Sequence, residues 1–372
     1  SPCKTGKLWY NAPVYVHVQQ GWKKLMDTQK KIITITEIAR LAGISIGTVD
    51  RVIHGRAGVS AKTRETIQAL ITEHGYEPNA YARNLKLNRN YNIGVLLPRF
   101  DTEFQYWEMV YQGVAQAAKE LGVLSVSVVT KQFDRLIKGD MAAKAEELYE
   151  MGIDGLLLAP LPANEAENLL LEHQDVPYAF IDSPLPGMNP IATIAQDSHQ
   201  SGYLAGRLIS ALCKGEPGTV ASVQLYPDAV NGKQRAAGFK RYFDDHPDMT
   251  LQEIMLGSLQ NTDAMLDELF KQHSDLRGVF TVNNIINCFG NSLVKSGRKQ
   301  GVVTIGYDLV KENREGLLAG SIDCLLSQRP AYQGHTAIYQ IYRKVVLGQE
   351  PEQSIAIPID IYFKENLTDS VD

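Results

Sequence analysis

From Asn92 onward the chain alternates short, uninterrupted apolar runs with amphipathic stretches of helical length, and this rhythm restricts the fold more than any other feature. The apolar runs Ile93–Leu97, Val123–Val129, Gly155–Leu158, Tyr178–Ile181, Thr219–Val223, Val279–Val282 and Val302–Ile305 have the length of parallel strands buried on both faces. Between them, Trp107–Leu121, Met141–Met151, Asp197–Leu212, Arg235–Phe243 and Ala264–Gln272 read as helices. The pattern is that of a doubly wound α/β fold. About 280 residues of it predict two lobes, because one sheet would not hold all these strands in a domain of ordinary size.

Charge is distributed as unevenly as structure. The chain totals −5, which argues superficially against a nucleic-acid partner. Yet residues 1–92 hold 14 Lys+Arg against 6 Asp+Glu, and residues 93–372 hold 23 against 36, so a segment of +8 precedes a body of −13. Such asymmetry is expected of a nucleic-acid-binding module joined to something else. Four of the basic residues fall in the first 25, SPCKTGKLWYNAPVYVHVQQGWKKL, which show no clear period. We read Met26 as the natural start and residues 1–31 as an extension outside the folded domains. From Met26 to Asn92 the balance is 10 Lys+Arg against 6 Asp+Glu, modest for a DNA binder. Cys3, Cys213, Cys288 and Cys324 lie far apart, with no C-x-x-C pair and no histidine at metal-ligand spacing, so reduced, mostly buried thiols and no zinc site are expected. Without an 18-residue apolar run or a signal peptide, neither a membrane span nor export is expected.

The segment from Thr34 reads as three short, punctuated helices. Thr34-x-x-Glu37 has capping-box spacing ahead of Ile38, Ala39, Leu41 and Ala42, and Gly43 supplies a stop. Ser45 can cap a second helix reaching about Val52, and Ser60 a third running to Gly75, with Pro78 soon after. Two short helices joined by Ala42-Gly43-Ile44-Ser45 make a helix-turn-helix, and the third provides the apolar face that neither could bury alone. Gly43-Ile-Ser45-Ile-Gly47 also fits the G-x-S-x-G nucleophile elbow by formula, but that chemistry needs a strand before the serine. A helix precedes it here, so Ser45 is read as a cap.

The run from Ile33, ITITEIARLAGISIGTVDRVIHGRAGVSAKTRETIQALITEHGYEPN, closely resembles the DNA-binding headpiece of the lactose-repressor (LacI/GalR) family. The following NAYARNLK, Asn79 to Lys86, resembles that family's hinge. The resemblance implies a headpiece over 32–79, a hinge over 80–91 and, over 92–372, a two-lobed periplasmic-binding-protein type I domain that binds an effector and dimerises. It also implies interleaved lobes, Asn92–Glu216 with Arg329–Glu352 and Pro217–Gln328 with Gln353–Leu367. Specificity positions are implied at Ile46, Gly47 and Arg51, since the first side chains of a recognition helix reach deepest into a major groove. Arg51 is the expected base reader, because a guanidinium can bond two acceptors of guanine. Thr34, Ser45, Thr48 and Arg56 complete the headpiece set. Asp50 stands where the family usually has serine, bringing a carboxylate close to DNA that can pair with Arg51 or Arg40 or reject unwanted contacts. In the hinge, Leu85 is implied to wedge into a minor-groove step and kink the duplex, with Arg83, Lys86 and Arg89 on phosphates.

The effector is implied to bind between the lobes, at the carboxyl ends of strands. Arg235 in Arg-Ala-Ala-Gly-Phe, Asn283 in Val-Asn-Asn and Asp308 in Gly-Tyr-Asp match effector-contacting positions of the family. Asp182 ending Phe-Ile-Asp, Asp197 in Gln-Asp-Ser and Gln328 in Ser-Gln-Arg-Pro resemble polar positions of sugar-binding relatives, and Phe104 and Trp107 stand where a sugar ring could stack. Each also has a plainer reading as a helix cap, a core aromatic or a solvated group. No Walker A motif, Rossmann glycine fingerprint or catalytic set is present, and Asn366-Leu-Thr368 is a glycosylation sequon by formula only.

The expectation is a cytoplasmic, non-enzymatic regulator that needs no cofactor and no membrane. It would act as a homodimer on pseudo-palindromic operator DNA and repress carbohydrate-utilisation genes in response to a small-molecule effector, a sugar or sugar derivative. A purine-like ligand stays open, since the same fold holds bases. The alternative is the solute-binding protein of a sugar transporter, which shares the two-lobed fold and has no use for a headpiece.

Overall fold

The computed structural model describes residues 33–53, 55–74, 89–100, 105–225, 227 and 229–367, and divides into two units, Ser1–Leu87 and Asn88–Asp372. In the smaller unit, α1 (Ile35–Ala42), α2 (Ile46–Ile53) and α3 (Ala61–His74) each follow a hydroxyl residue that satisfies an orphan N–H of the first turn. Glu37 N–H donates to Thr34 Oγ1 at 3.2 Å while Thr34 N–H donates to Glu37 Oε2 at 3.1 Å, the reciprocal pairing that the spacing predicts. Ser45 accepts from Thr48 N–H and Ser60 from Thr63 N–H, both at 3.2 Å. Gly43 ends α1 at φ +65°, a left-handed conformation that glycine adopts without a Cβ clash. Ile38, Ala39, Val49, Val52 and Ile67 form the shared core, drawn from all three helices.

In the larger unit the chain runs β1 (Tyr91–Pro98), α4 (Tyr106–Gly122), β2 (Val126–Phe133), α5 (Asp140–Glu150), β3 (Gly155–Leu158), α6 (Ala163–Glu172), β4 (Tyr178–Ile181) and β5 (Ala192–Gln196). It then crosses to a second lobe made of α7 (Ser198–Leu212), β6 (Gly218–Gln224), α8 (Val230–Asp245), β7 (Met249–Met255), α9 (Thr262–Gln272), β8 (Leu276–Thr281), α10 (Ile286–Lys295), β9 (Val303–Tyr307), α11 (Lys311–Ala319) and β10 (Cys324–Ser327). Finally α12 (Pro330–Val345) and β11 (Ser354–Ile357) return to the first lobe and β12 (Asp360–Tyr362) to the second. Each lobe holds a six-stranded sheet, in the orders β11-β5-β4-β3-β1-β2 and β12-β10-β9-β8-β6-β7. β12 runs antiparallel to β10 and the other paired strands are parallel. Apolar cores fill both faces of both sheets, which is why the central strands read as continuous apolar runs.

Three expectations need correction. The second strand begins at Val126 rather than Val123, because Val123 and Leu124 belong to the turn after α4, where Val123 is 83% exposed. The first crossing follows Gln196 rather than Glu216: Ala205, Ile209 and Cys213 of α7 pack with Val220, Phe239 and Tyr242 in the second lobe. The third follows Ile357 rather than Glu352, since β11 pairs with β5. Apolar periodicity says that a helix covers a sheet; it does not say which one.

Glycines let α7 and α8 approach closely. A Cβ on Gly202 would stand 1.9 Å from the Arg235 carbonyl oxygen, and one on Gly238 would stand 1.9 Å from that of His199. No helix among the described residues is long and apolar enough to cross a membrane. Cys213, Cys288 and Cys324 form no disulfide, the first and last are buried, and Cys3 lies outside the described residues.

Candidate functional site

In both sheets the first strand lies between the second and third, so connections leave it on opposite sides and a crevice opens at the carboxyl ends. The two crevices face one cleft of about 400 Å³. The first lobe contributes Arg99 after β1, Tyr106 and Trp107 on α4, Phe133 at the end of β2 with residues 134–136 after it, and Asp182 after β4. The second contributes Asn231 and Arg235 on α8, Asn283 and Asn284 after β8, Asp308 after β9 and Gln328 after β10.

Arg235 is the centre of the floor. It is 3% exposed, donates through Nη1 to the Val282 carbonyl at 2.9 Å and through Nη2 to Gln328 Oε1 at 3.1 Å, and lies 3.7 Å from the centre of the Tyr307 ring. Gln328 continues the chain, its Nε2 donating to Asp308 Oδ2 at 3.2 Å. Asp182 and Asp308 both adopt left-handed backbone, φ +72° and +61°, directly after a strand, a conformation that aspartate tolerates better than most residues. Two buried atoms of this network have no partner, Nε of Arg235 and Oδ1 of Asp308. One donor and one acceptor therefore remain unsatisfied on a floor where Gln328 links Arg235 to Asp308.

Burial pushes the Asp308 carboxyl up to about 6, against the pull of the Arg235 guanidinium and the Gln328 amide. Burial also raises Asp182, and it raises the Tyr106 phenol well above its usual value, helped by the neighbouring Asp182 carboxylate. An acid with a higher pKa folded than unfolded keeps its proton longer in the native state. Its favourable effect is thus complete below the unfolded value of 3.8 and is lost as pH rises through about 6. Asp308→Asn should remove a fall in unfolding free energy across that window, on the order of 3 kcal/mol. Urea unfolding at several pH values measures it, and an unchanged pH slope would assign the effect elsewhere.

Trp107, Asp182, Arg235, Asn283, Asp308 and Gln328 line this cleft. Asp197 does not line it: its Oδ1 accepts the Gln200 N–H at 2.8 Å and caps α7. An acid between a strand and a helix serves either purpose, and the orphan N–H groups of α7 claim this one. Phe104 lies outside the described residues. Tyr106 and Asn231 are among the cleft residues that the sequence did not reveal. Tyr106 donates to Asp182 Oδ1 at 2.9 Å and meets Trp107 edge-on at 5.0 Å. Asn231 sits four residues before Arg235, on the same helix face, a spacing that could have revealed it.

On the smaller unit Ser45, Ile46 and Gly47 are exposed at the start of α2 and Arg51 is exposed in its last turn, with Thr48 half-buried. Ile46 is 47% exposed, an apolar side chain that packing does not account for. The helix before Ser45 and its capping bond exclude a nucleophile elbow. The ion pair seen for Asp50 is with Arg56, at 3.2 Å, a partner that sequence reasoning did not name. Thr34 is occupied in its capping box. Arg83, Leu85 and Lys86 lie outside the described residues, whereas Arg89 pairs with Asp154 at 2.6 Å in the larger unit.

Comparison with known proteins assigns both units. The family of bacterial regulatory proteins, lacI family, matches residues 34–79, and the periplasmic binding protein domain matches residues 93–350. An HTH-type transcriptional regulator of Lachnoclostridium phytofermentans is 28% identical over 74% of this chain and 83% of its own length. The HTH-type transcriptional repressor PurR of Vibrio atlanticus is 26% identical over 75% of this chain and 82% of its own. A crystal structure described as a LacI transcriptional regulator from Bacteroides fragilis superposes with a TM-score of 0.67 at 27% identity, covering 75% of this chain and 98% of that one. The glucose-galactose binding protein GanP from Geobacillus stearothermophilus, at 21% identity and a TM-score of 0.66 over 75% of this chain and 99% of that one, shares the fold.

Proposed function

The chain belongs to the LacI family of bacterial regulatory proteins, with a periplasmic-binding-protein domain as its sensor, and we propose that its effector is a sugar or sugar derivative held between the lobes. It is a ligand-responsive, DNA-binding transcriptional regulator, not an enzyme. The observation that carries the effector reading is the pair of buried, unpartnered atoms on the cleft floor, Arg235 Nε and Asp308 Oδ1. A hydroxyl group donates and accepts at once, so neighbouring hydroxyls on a sugar ring satisfy both. Asn283 and Gln328 add polar contacts, and Trp107 supports an apolar ring face. A thermal-shift screen of sugars, sugar phosphates and nucleobases tests the class. A ligand at a hundred times its Kd stabilises by about 2.7 kcal/mol. A response to nucleobases alone would replace the sugar.

On DNA, the protein acts as a cytoplasmic homodimer that represses carbohydrate-utilisation genes from a pseudo-palindromic operator. Arg51 reads a guanine and Ile46 meets a thymine methyl, Thr34, Ser45, Thr48 and Arg56 hold the backbone, and Leu85 and Lys86 act in the hinge. Gly47 lets the helix approach the bases. Effector and operator bias one equilibrium of the sensor, so each changes the other's affinity by the same factor. Selection from a randomised DNA pool should recover a two-fold sequence with salt-dependent binding. Arg51→Ala should weaken the selected site about tenfold or more and relax one base position. Equal loss on unrelated DNA would make Arg51 a phosphate contact.

A further inference from the structure

Among the described residues, a hydrogen bond between side chains spans the cleft from one lobe to the other. Asn231, in the first turn of α8, donates from Nδ2 to Oδ2 of Asp182, at the end of β4, at 2.7 Å. The other oxygen of Asp182 already accepts from Tyr106. Both oxygens of Asp182 are therefore engaged by the protein, whereas Asp308 keeps one open. The orientation of Asn231 is determined from behind, since its Oδ1 accepts the Gly232 N–H at 2.7 Å and this turns the amide nitrogen toward the carboxylate. Where the chain crosses between the lobes, Gln196 Nε2 donates to the carbonyls of Ser327 and Pro358, at 3.1 and 3.0 Å, tying the three crossing segments together. A separation of the lobes that opened the cleft about these crossings would break the bond between Asn231 and Asp182.

We propose that the Asn231–Asp182 bond is a latch that holds the sensor lobes closed before an effector arrives, with Asn231 as the positioning residue that sets the balance of open and closed forms. Asp182 then influences effector binding through closure. An effector that uses Arg235 and Asp308 adds to the latch, and one that bonds Asp182 has to displace Asn231. A bond from an amide to a buried carboxylate is among the stronger ones in a protein, and its loss should raise the open population about tenfold.

The test measures an inter-lobe distance in the full-length chain without effector or DNA, so its outcome is independent of the sugar reading. Spin labels are carried on unnatural residues at Glu167 of α6 and Lys271 of α9, both exposed and on different lobes. Asn231→Ala should add a second inter-label distance, marking the open form, to the single wild-type distribution. Asn231→Asp, which sets two carboxylates face to face, should enlarge it. The double variant Asp182→Asn, Asn231→Asp exchanges donor and acceptor while still accepting from Gly232 N–H and from Tyr106, and should restore the wild-type distance. An unchanged distribution in Asn231→Ala with native circular dichroism overturns the latch. So does an open double variant, because Asn231 would then act through packing.

Discussion

Replacing Arg235 with methionine is expected to abolish effector-induced thermal stabilisation and to lower stability more at pH 8 than at pH 5. Methionine keeps the buried stem and loses the bonds to Val282 and Gln328 and the contact with Tyr307. Two buried acceptors are left without donors, at about 1–3 kcal/mol each. The lost charge adds a pH-dependent part. At pH 5 Asp308 is largely protonated in the native protein and has little need of a cation, whereas at pH 8 its carboxylate is balanced by Arg235. Without the guanidinium the carboxyl moves upward and takes a proton near neutrality, which limits the cost of an uncompensated buried charge. Total destabilisation should be about 2–5 kcal/mol at pH 8. Unfolding at both pH values measures it, and an equal loss at each would mean that Arg235 does not balance Asp308.

Gly202→Ala should disable the same guanidinium by geometry, from a residue that never touches the cleft. The new Cβ would meet the Arg235 carbonyl oxygen at 1.9 Å, so the backbone of α8 has to move away from α7. Overpacking of this kind costs about 1–3 kcal/mol or more, and it displaces the helix that carries both Arg235 and Asn231. Gly290→Ala is the matched control. Its Cβ would meet the Ser321 carbonyl oxygen at 2.5 Å, on α10, a helix without cleft residues. Both variants should melt earlier, but only Gly202→Ala should lose the stabilisation given by the sugar found in the screen. Equal loss in the two would reduce Gly202 to a packing role.

The parts of the fold visible in sequence are those where local pattern and burial coincide. β1, β3, β4, β6, β8 and β9 are covered on both faces and read as apolar runs, while the short or peripheral β5, β7, β10, β11 and β12 escaped. β7 shows why: as an edge strand it exposes every second or third residue, and its Thr-Leu-Gln-Glu-Ile spells no clean run. The candidate site divides in the same way. Asp308 and Gln328 end strands within recognisable motifs. Asp197 looked equivalent to them, because an acid ahead of a helix has one appearance in sequence and two uses.

Sequence alone determined what short-range spacing controls, the three capped helices of the headpiece and the covered strands, while Arg235 was reached through the family resemblance. Tertiary structure decided where each crossing falls, that Asp182 is closed off by Tyr106 and Asn231, and that Asp308 keeps an open oxygen. The bonds responsible join residues 76 and 49 positions apart for Asp182, and 93 apart for Arg235 and Gln328. A hydrogen bond forms between groups brought within about 3 Å, and over such separations only the packing of the two sheets sets that distance.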